Sequence, residues 1–201
     1  TLGLLSRLGA CVQTSDHMRV IRVRGAWRDE TEERPVVMGL DAFTYDVEPD
    51  ASGATYFWGG GAMVPGARVR VPGIDERSLQ GDARFPELLV RMGASTGEEG
   101  GLVGGELRPI LADMSDMPDA AMTLAVIACF AEGTSILKGV STLRVKECDR
   151  VEAMRTELAK VGVRVESPVS GDAGAMTVTP PPGGVRADAG AVFDTYDDHR
   201  I

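Results

Sequence analysis

The chain has 201 residues, of which 43% are hydrophobic and 25% are charged, and its formal net charge is −9. These values are typical of a globular protein with room for one or two domains. The negative charge disfavours binding along a nucleic-acid backbone, which needs a positive surface. The most apolar stretch, residues 120–131, has the length of a buried helix and is too short to span a membrane. We therefore expect no nucleic-acid partner and no membrane association, and any anionic ligand must meet a local group of arginines and lysines.

The three cysteines, Cys11, Cys129 and Cys148, are odd in number and lack the spacing of a metal site or of a redox pair. This pattern indicates a reducing compartment without a disulfide framework, and we expect a cytoplasmic protein. Cys129 lies in the apolar stretch and is expected in the core. Cys148 lies in a charged segment, where it is either a small filler or a reactive thiol.

The first residues, 1–12, are apolar but have neither a basic start nor a small-residue cleavage site. They predict a helix and not a signal peptide. The pattern of residues 12–23 predicts a β-hairpin. Residues 24–41 are charged, aperiodic and contain Pro35, which indicates a surface loop.

An internal repeat organises the rest of the chain. The sequence Pro-Asp-Ala-Ser at residues 49–52 recurs 69 positions later as Pro-Asp-Ala-Ala, and each copy opens an apolar helix. Strand patterns follow in register at residues 66–71 and 133–138, and the second helices after them end near Gly93 and Gly162. The distance between these two glycines is again 69 residues.

After the second helix, the pattern predicts strands at residues 163–166, 176–179 and 192–196. The repeated unit is therefore predicted as β-α-β-α-β-β, and the fold class as α+β. The chain begins and ends within such units, so we expect a fragment of a longer protein.

The segment between the two units is rich in glycine and glutamate and has little apolar periodicity. This composition is typical of a domain boundary. We predict the later part of one domain over residues 1–96, the first part of a second domain over residues 97–201, and a hinge near residues 94–104.

Residues 144–150 read Arg-Val-Lys-Glu-Cys-Asp-Arg and precede a 3.6-residue apolar stripe at Val151, Met154, Leu158 and Val161. This places three cations at the start of a predicted helix, where the helix dipole ordinarily repels them. Backbone N–H groups and fixed cations there would form a site for a carboxylate or a phosphate, with a glutamate that could move protons. The alternative is a solvated cluster in which acids and bases neutralise each other.

Three ordered motifs carry a resemblance to a known family. They are Asp-Met-Ser-Asp-Met-Pro-Asp-Ala-Ala-Met-Thr at residues 113–123, Arg-Val-Lys-Glu-Cys-Asp-Arg at 144–150 and Thr-Tyr-Asp-Asp-His-Arg at 195–200. Residues 48–57 and 80–85 fit the same pattern. Together they closely resemble the 5-enolpyruvylshikimate-3-phosphate synthase family, and the resemblance spans nearly the whole chain.

The resemblance implies an enzyme of two similar domains, built from repeats of this kind, with the active site in the cleft between them. Such an enzyme transfers the enolpyruvyl group of phosphoenolpyruvate to the 5-hydroxyl of shikimate 3-phosphate and releases phosphate, a step of the shikimate pathway in aromatic amino acid biosynthesis. Its partners would be these two small molecules, without a metal or an organic cofactor. The longer protein would be a monomer.

The resemblance also implies roles for residues at the matching positions. Asp119 would act at the attacking hydroxyl of shikimate 3-phosphate, and Glu147 would exchange a proton with the methylene carbon of phosphoenolpyruvate. Lys146 would lie beside Glu147 as a cation that could also serve as an acid. Arg150 and Arg200 would hold the carboxylate or phosphate of phosphoenolpyruvate, because planar guanidinium groups suit planar anions.

Three further residues are expected at the substrate site. His199 would orient or tune the cluster, Tyr56 would donate its hydroxyl to shikimate 3-phosphate, and Ser52 would offer a hydroxyl near its phosphate. Taken alone, His199 would be interpreted as structural, Tyr56 as core and Asp119 as a carboxylate that stabilises its helix. We expect Asp116 to cap the helix that Asp119 begins.

The chain departs from the family pattern at three places. Gly53 and Thr142 stand where a serine and an asparagine commonly contact shikimate 3-phosphate, and Gly59-Gly60-Gly61 replaces the usual alanines of a helix. Each of these three glycines is expected to cost the helix about 1 kcal/mol relative to alanine.

Two other functions remain open. A sibling enolpyruvyl transferase that acts on UDP-N-acetylglucosamine would share the fold, although the sequence at residues 144–150 is not expected in it. A noncatalytic binding fragment of the same fold is the second alternative. Several residues of the family's active site, among them an N-terminal Lys-Ser pair and a C-terminal lysine, would lie outside the chain, so we expect the isolated chain to be inactive.

Overall fold

The computed structural model describes residues 2–8, 10–23, 44–75, 77–185 and 190–201. Contacts divide the chain into two units, Thr1–Val47 and Glu48–Ile201, each held together by its own internal packing. No helix in the described ranges has both the length and the apolar character needed to cross a membrane.

The first unit contains a helix and a hairpin. Helix α1 spans Leu2–Arg7, and strands β1 (Val12–Thr14) and β2 (Ile21–Val23) pair antiparallel. The predicted helix and hairpin are confirmed, and the helix is shorter than predicted. The predicted surface loop at residues 24–41 lies outside the described residues.

In the second unit, the first repeat has two helices and a three-stranded sheet. Its elements are α2 (Ala51–Ala62), β3 (Arg68–Val69), α3 (Phe85–Met92), β4 (Ser95–Thr96) and β5 (Leu102–Val103). The strands pair antiparallel in the order β3-β5-β4. Helix α2 begins where predicted because Asp50 caps it, its side chain accepting a hydrogen bond from the Ser52 N–H at 2.9 Å.

The second repeat has a four-stranded sheet. Its elements are β6 (Leu111–Asp113), α4 (Ala121–Ala128), β7 (Ser135–Lys138), α5 (Arg150–Ala159), β8 (Arg164–Glu166) and β9 (Ala175–Thr179). The strand order is β6-β7-β9-β8, with β6 and β7 parallel and the other pairs antiparallel. Strands β7, β9 and β8 thus repeat the order of β3, β5 and β4, which confirms the predicted repeat and the α+β class.

The predicted strand at residues 192–196 is wrong. Tyr196 and Asp197 have φ angles of 56° and 51°, in the left-handed region where a strand cannot continue. The carbonyl of Thr195 accepts a hydrogen bond from the Asp198 N–H at 2.9 Å, which closes a turn. The chain therefore reverses immediately before Asp198, instead of extending along a sheet.

One hydrophobic core joins the two repeats of the second unit. Its largest fully buried apolar side chains include Phe85, Leu89, Met92, Met114, Leu124, Ile127, Leu137, Leu143 and Met176. Burying a side chain of this size contributes about 1.5–3 kcal/mol relative to exposing it. Cys129 belongs to the core as predicted, and burial raises the pKa of its thiol to about 12. This thiol therefore stays protonated and unreactive.

The glycines of α2 allow close packing. A Cβ on Gly59 would lie 2.8 Å from Cδ1 of Ile127 in α4, and one on Gly61 would lie 2.3 Å from Cγ2 of Val69 in β3. A Cβ on Gly60 would meet no heavy atom within 4 Å. At Gly59 and Gly61, the close approach of a neighbouring side chain therefore outweighs the poor helix propensity of glycine. Gly60 has no such neighbour.

The segment of the predicted hinge is structured. Strands β4 and β5 lie within it, and Ala94 and Leu102 are buried. The contacts divide the chain at Val47 and Glu48, which is a different position from the predicted boundary between residues 96 and 97. The predicted boundary and hinge concern domain movement in a longer protein, and they stay predictions.

Candidate active site

The turn that follows β6 carries Asp119. A short 3₁₀ segment, Pro118–Ala120, leads into α4, and the side chain of Asp119 is one third exposed. The expected cap by Asp116 is wrong, since no side chain caps this segment and the carboxylate of Asp116 pairs with Arg84 at 3.2 Å. In the folded chain, the carboxylate of Asp116 therefore contacts the exposed Arg84 and not the backbone N–H groups at the start of this segment.

The charged segment at residues 144–150 lies largely before its helix. Helix α5 begins at Arg150, and Asp149 caps it by accepting a hydrogen bond from the Glu152 N–H at 3.0 Å. Arg144 pairs with Asp149 at 3.1 Å. The prediction of cations at the helix start therefore holds for Arg150, which opens the helix, and for Arg144, which pairs with its cap, whereas Lys146 pairs with Asp119. Asp149 occupies the helix end that was expected to bind an anion.

Arg150 is the centre of the site. Its side chain is 1% exposed, yet its guanidinium donates to three carboxylates. Nε and Nη2 donate to the two oxygens of Asp198 at 2.7 and 2.9 Å, Nη1 donates to Asp119 at 3.1 Å, and Nη2 donates to Glu147 at 2.7 Å. One buried cation thus joins the two acids expected to move protons, Asp119 and Glu147.

The pair between Arg150 and Asp198 keeps both groups charged. Hydrogen bonds from Arg150 outweigh the effect of burial and lower the pKa of Asp198 to about 2. Burial by itself would lower the pKa of Arg150, but hydrogen bonds and the charge of Asp198 raise it. Removing one partner of such a buried pair typically costs about 3–5 kcal/mol, because the other charge is left without compensation.

Lys146 and His199 lie at the rim of this cluster. The Nζ of Lys146 is 3.2 Å from Oδ1 of Asp119. The Nδ1 of His199 is 3.6 Å from Oε1 of Glu147, and the ring is 64% exposed. The structure therefore gathers Asp119, Lys146, Glu147, Arg150 and His199, five of the eight residues that the sequence proposed for the site.

Arg200 joins the cluster through its main chain, whose N–H donates to Asp198 at 2.9 Å. Arg200 also lines a mostly apolar cavity of about 400 Å³, together with Tyr56 and Ile201. The Nε of Arg200 is buried there without a hydrogen-bond partner among the described residues. A role for Arg200 in holding phosphoenolpyruvate stays a prediction.

Tyr56 and Ser52, both on α2, lie at other contacts. Tyr56 is half exposed at the apolar cavity, so it is not the core residue that its apolar helix taken alone would suggest. The hydroxyl of Ser52 hydrogen-bonds to the buried carboxylate of Asp82. A role for either residue at shikimate 3-phosphate stays a prediction.

Sequence reasoning missed Asp198 as a member of the site. Its side chain is fully buried and accepts hydrogen bonds from Arg150 and, at 3.4 Å, from the thiol of Cys148. Burial and this hydrogen bond raise the pKa of the Cys148 thiol, which favours the filler interpretation over the reactive one. The signal was present in the Asp-Asp-His-Arg motif, but the sequence does not tell which of the two aspartates points inward.

A metal could in principle use the same groups. Ligand atoms of Glu147, Asp198 and His199 lie within 4.8 Å of one another. However, the guanidinium of Arg150 binds both carboxylates, so a cation placed there would face its positive charge. The donor set fits an arginine better than it fits a metal.

The fold and the cluster define a class of protein. The structure contains a β-α-β-α-β-β unit and brings four side chains into one charged site, those of Asp119, Lys146, Glu147 and Arg150. The sequence motifs predict this arrangement for an enolpyruvyl transferase. A sequence model of the family EPSP synthase (3-phosphoshikimate 1-carboxyvinyltransferase) matches residues 1–201. The chain belongs to this family.

Individual relatives agree with this assignment. The chain is 50% identical over 161 residues to the 3-phosphoshikimate 1-carboxyvinyltransferase of Nitrosomonas europaea, an alignment that covers 77% of this chain and 36% of the relative. It is 41% identical over 208 residues to that of Janthinobacterium sp. (strain Marseille), covering 100% of this chain and 42% of the relative. The chain therefore spans less than half the length of these curated relatives.

Solved structures show the same fold. The EPSP synthase of Acinetobacter baumannii matches with a TM-score of 0.54 at 20% identity, over 89% of this chain and 56% of that one. The enolpyruvyl transferase NikO of Streptomyces tendae matches with a TM-score of 0.55 at 20% identity, over 90% of this chain and 39% of that one.

Proposed function

We propose that this chain is part of an enzyme that transfers the enolpyruvyl group of phosphoenolpyruvate to the 5-hydroxyl of shikimate 3-phosphate and releases phosphate. The observation that carries the proposal is the contact of one buried guanidinium, that of Arg150, with both Asp119 and Glu147. In a chain of this family, these are the two acids expected to move protons.

Asp119 would receive the proton of the attacking hydroxyl. Its Oδ1 is held by Lys146 at 3.2 Å and by Arg150 at 3.1 Å. Both ion pairs use the same oxygen, which leaves Oδ2 to approach the hydroxyl of shikimate 3-phosphate. The carboxylate is thus held at one oxygen and can accept a proton at the other, as a general base does.

Glu147 would exchange a proton with the methylene carbon of phosphoenolpyruvate. Its carboxylate is about half exposed, and Arg150 holds it at 2.7 Å through Oε2. The other oxygen, Oε1, lies nearer His199. A carboxylate held on one side and open on the other can meet a substrate without losing its orientation.

Arg150 would bind phosphoenolpyruvate only after a rearrangement, since its side chain is almost completely covered by three acids. An incoming carboxylate or phosphate would displace Asp119 from Nη1 of Arg150, one anion replacing another, while Lys146 keeps its contact with Asp119 and Nη2 of Arg150 keeps its contact with Glu147. Lys146, which is one third exposed, could meet the same ligand without such a change.

The sibling reaction on UDP-N-acetylglucosamine is the alternative within the same fold. A thermal-shift comparison separates the two: in the full-length protein, shikimate 3-phosphate should raise the melting temperature and UDP-N-acetylglucosamine should not. Stabilisation by the UDP-sugar alone would show that the UDP-sugar, and not shikimate 3-phosphate, is the substrate.

The three cysteines are free thiols, which supports a reducing compartment such as the cytoplasm.

A further inference from the structure

The site contains one acid to which the roles above assign no task. We propose that Asp198 is a positioning residue that fixes the guanidinium of Arg150 for phosphoenolpyruvate, a proposal that rests on the proposed function. The side chain of Asp198 is fully buried, so it acts through Arg150 and does not touch a substrate.

Both oxygens of Asp198 are fully engaged. Oδ2 accepts from Nε of Arg150 at 2.7 Å and from the thiol of Cys148 at 3.4 Å. Oδ1 accepts from Nη2 of Arg150 at 2.9 Å and from the Arg200 N–H at 2.9 Å. A carboxylate offers about four acceptor positions, and four donors fill them. Two of these donors, the Arg200 N–H and the Cys148 thiol, do not belong to Arg150, so they orient the carboxylate independently of the arginine.

A fixed carboxylate fixes the arginine. The guanidinium is planar and rigid, and Asp198 binds the edge formed by Nε and Nη2. This sets the direction of the remaining end, where Nη1 contacts Asp119 and Nη2 contacts Glu147. A carboxylate or phosphate that replaces Asp119 at Nη1 would find this N–H donor already oriented.

The segment that carries Asp198 is also anchored to α5 at a second point. Glu157 is buried and accepts hydrogen bonds from the hydroxyl of Tyr196 at 2.8 Å and from the Asp194 N–H at 2.9 Å. Lys160 pairs with the carboxylate of Asp194 at 3.0 Å. Asp194 and Asp198 therefore both contact residues of α5 or its C-terminal end, and these contacts hold the segment against the helix. As a result, the carboxylate of Asp198 stays next to Arg150.

The test compares Asp198→Asn with Asp197→Asn in the full-length enzyme. Asp197 is the exposed neighbour and undergoes the same change of charge, so it is a matched control. Asp198→Asn should raise the KM for phosphoenolpyruvate on the order of 10- to 100-fold and leave the KM for shikimate 3-phosphate nearly unchanged. A purely structural role would lower the melting temperature and the active fraction without changing either KM.

Two further measurements keep the outcome clear. Should Asp198→Asn fail to fold, Asp198→Glu, which keeps the charge but shifts the carboxylate, should show the same selective rise in KM. A protected Nε–H resonance of Arg150 in ¹⁵N NMR should be present in the wild type and in Asp197→Asn, and lost in the Asp198 variants. If the wild type and Asp197→Asn both lack activity, the proposed function fails. In that case the Nε–H resonance of Arg150 still shows whether Asp198 positions the guanidinium. A wild-type KM for phosphoenolpyruvate or a retained resonance in the Asp198 variants would overturn the positioning role.

Discussion

Arg150 and Asp198, 48 residues apart in the chain, form a two-point ion pair whose side chains are 1% and 0% exposed. Asp198 lies in a turn near the end of the chain, and Arg150 opens α5. Their contact brings the Asp-Asp-His-Arg motif to the Arg-Val-Lys-Glu-Cys-Asp-Arg segment. The candidate site therefore exists only when these two distant parts of the sequence are folded together.

The first prediction concerns the two acids that meet Arg150. In the full-length enzyme, Glu147→Gln and Asp119→Ala should each lower turnover by about 100- to 10,000-fold, the effect typical of a lost acid or base. Phosphate release measures this directly. Asp116→Ala is a suitable control, since Asp116 is exposed and pairs with Arg84 outside the cluster. Near-normal turnover in both variants would remove these two assignments.

The second prediction separates the three glycines of α2. Gly60→Ala should stabilise the protein by roughly 0.5–1 kcal/mol, because alanine favours a helix and the new methyl group meets open space. Gly59→Ala and Gly61→Ala should destabilise it by about 1–3 kcal/mol, since their methyl groups would press on Ile127 and Val69. Urea unfolding measures all three variants. Equal effects at the three positions would contradict the packing described here.

The third prediction is a dependence of stability on acid pH. The pKa of Asp198 is lowered from 3.8 to about 2, first through hydrogen bonds from Arg150. The folded state therefore holds the ionised form more strongly than the unfolded state does. This stabilisation, about 2 kcal/mol, should be complete above roughly pH 5 and be lost as the pH falls toward 2.

Unfolding of the wild type and of two variants between pH 2 and pH 6 would measure this contribution. Asp198→Asn should be less stable at neutral pH and should show a smaller loss on acidification. Asp197→Asn should keep the slope of the wild type, because its side chain is exposed. Identical slopes in all three proteins would show that Asp198 does not contribute.

Much of this fold follows from local sequence patterns. The apolar stripe of α5 is confirmed within the helix, with Val151, Met154 and Leu158 buried, and α2 begins where the Pro-Asp-Ala-Ser pattern predicts. These features depend on neighbours within one or two helical turns, which a sequence displays directly. The repeat was predictable for the same reason, because its two copies carry similar patterns in the same order.

The errors arise where distant residues compete for the same group. Asp116 was expected to cap a helix, but Arg84 binds it from 32 residues away. The inward direction of Asp198 depends on Arg150, and the need for Gly59 depends on Ile127 in another helix. A sequence gives the residue types at these positions but not their spatial neighbours, so pairings of this kind emerge only from the fold.

The fourth prediction concerns the 201-residue chain by itself. It should be inactive and should bind either substrate weakly, because it spans less than half the length of its curated relatives and screened surface charges contribute little. Calorimetric titration with each substrate, repeated with the missing segments supplied in trans, tests this. Measurable turnover by the isolated chain would show that the site is more self-contained than proposed.

The most direct test of the central proposal is ³¹P NMR of the full-length enzyme incubated with phosphoenolpyruvate and shikimate 3-phosphate. Inorganic phosphate and the enolpyruvyl ether of shikimate 3-phosphate should appear together in a one-to-one ratio, and Glu147→Gln should slow the formation of both equally. Phosphate formation without the enol ether, or enol ether formation with UDP-N-acetylglucosamine in place of shikimate 3-phosphate, would contradict the proposal.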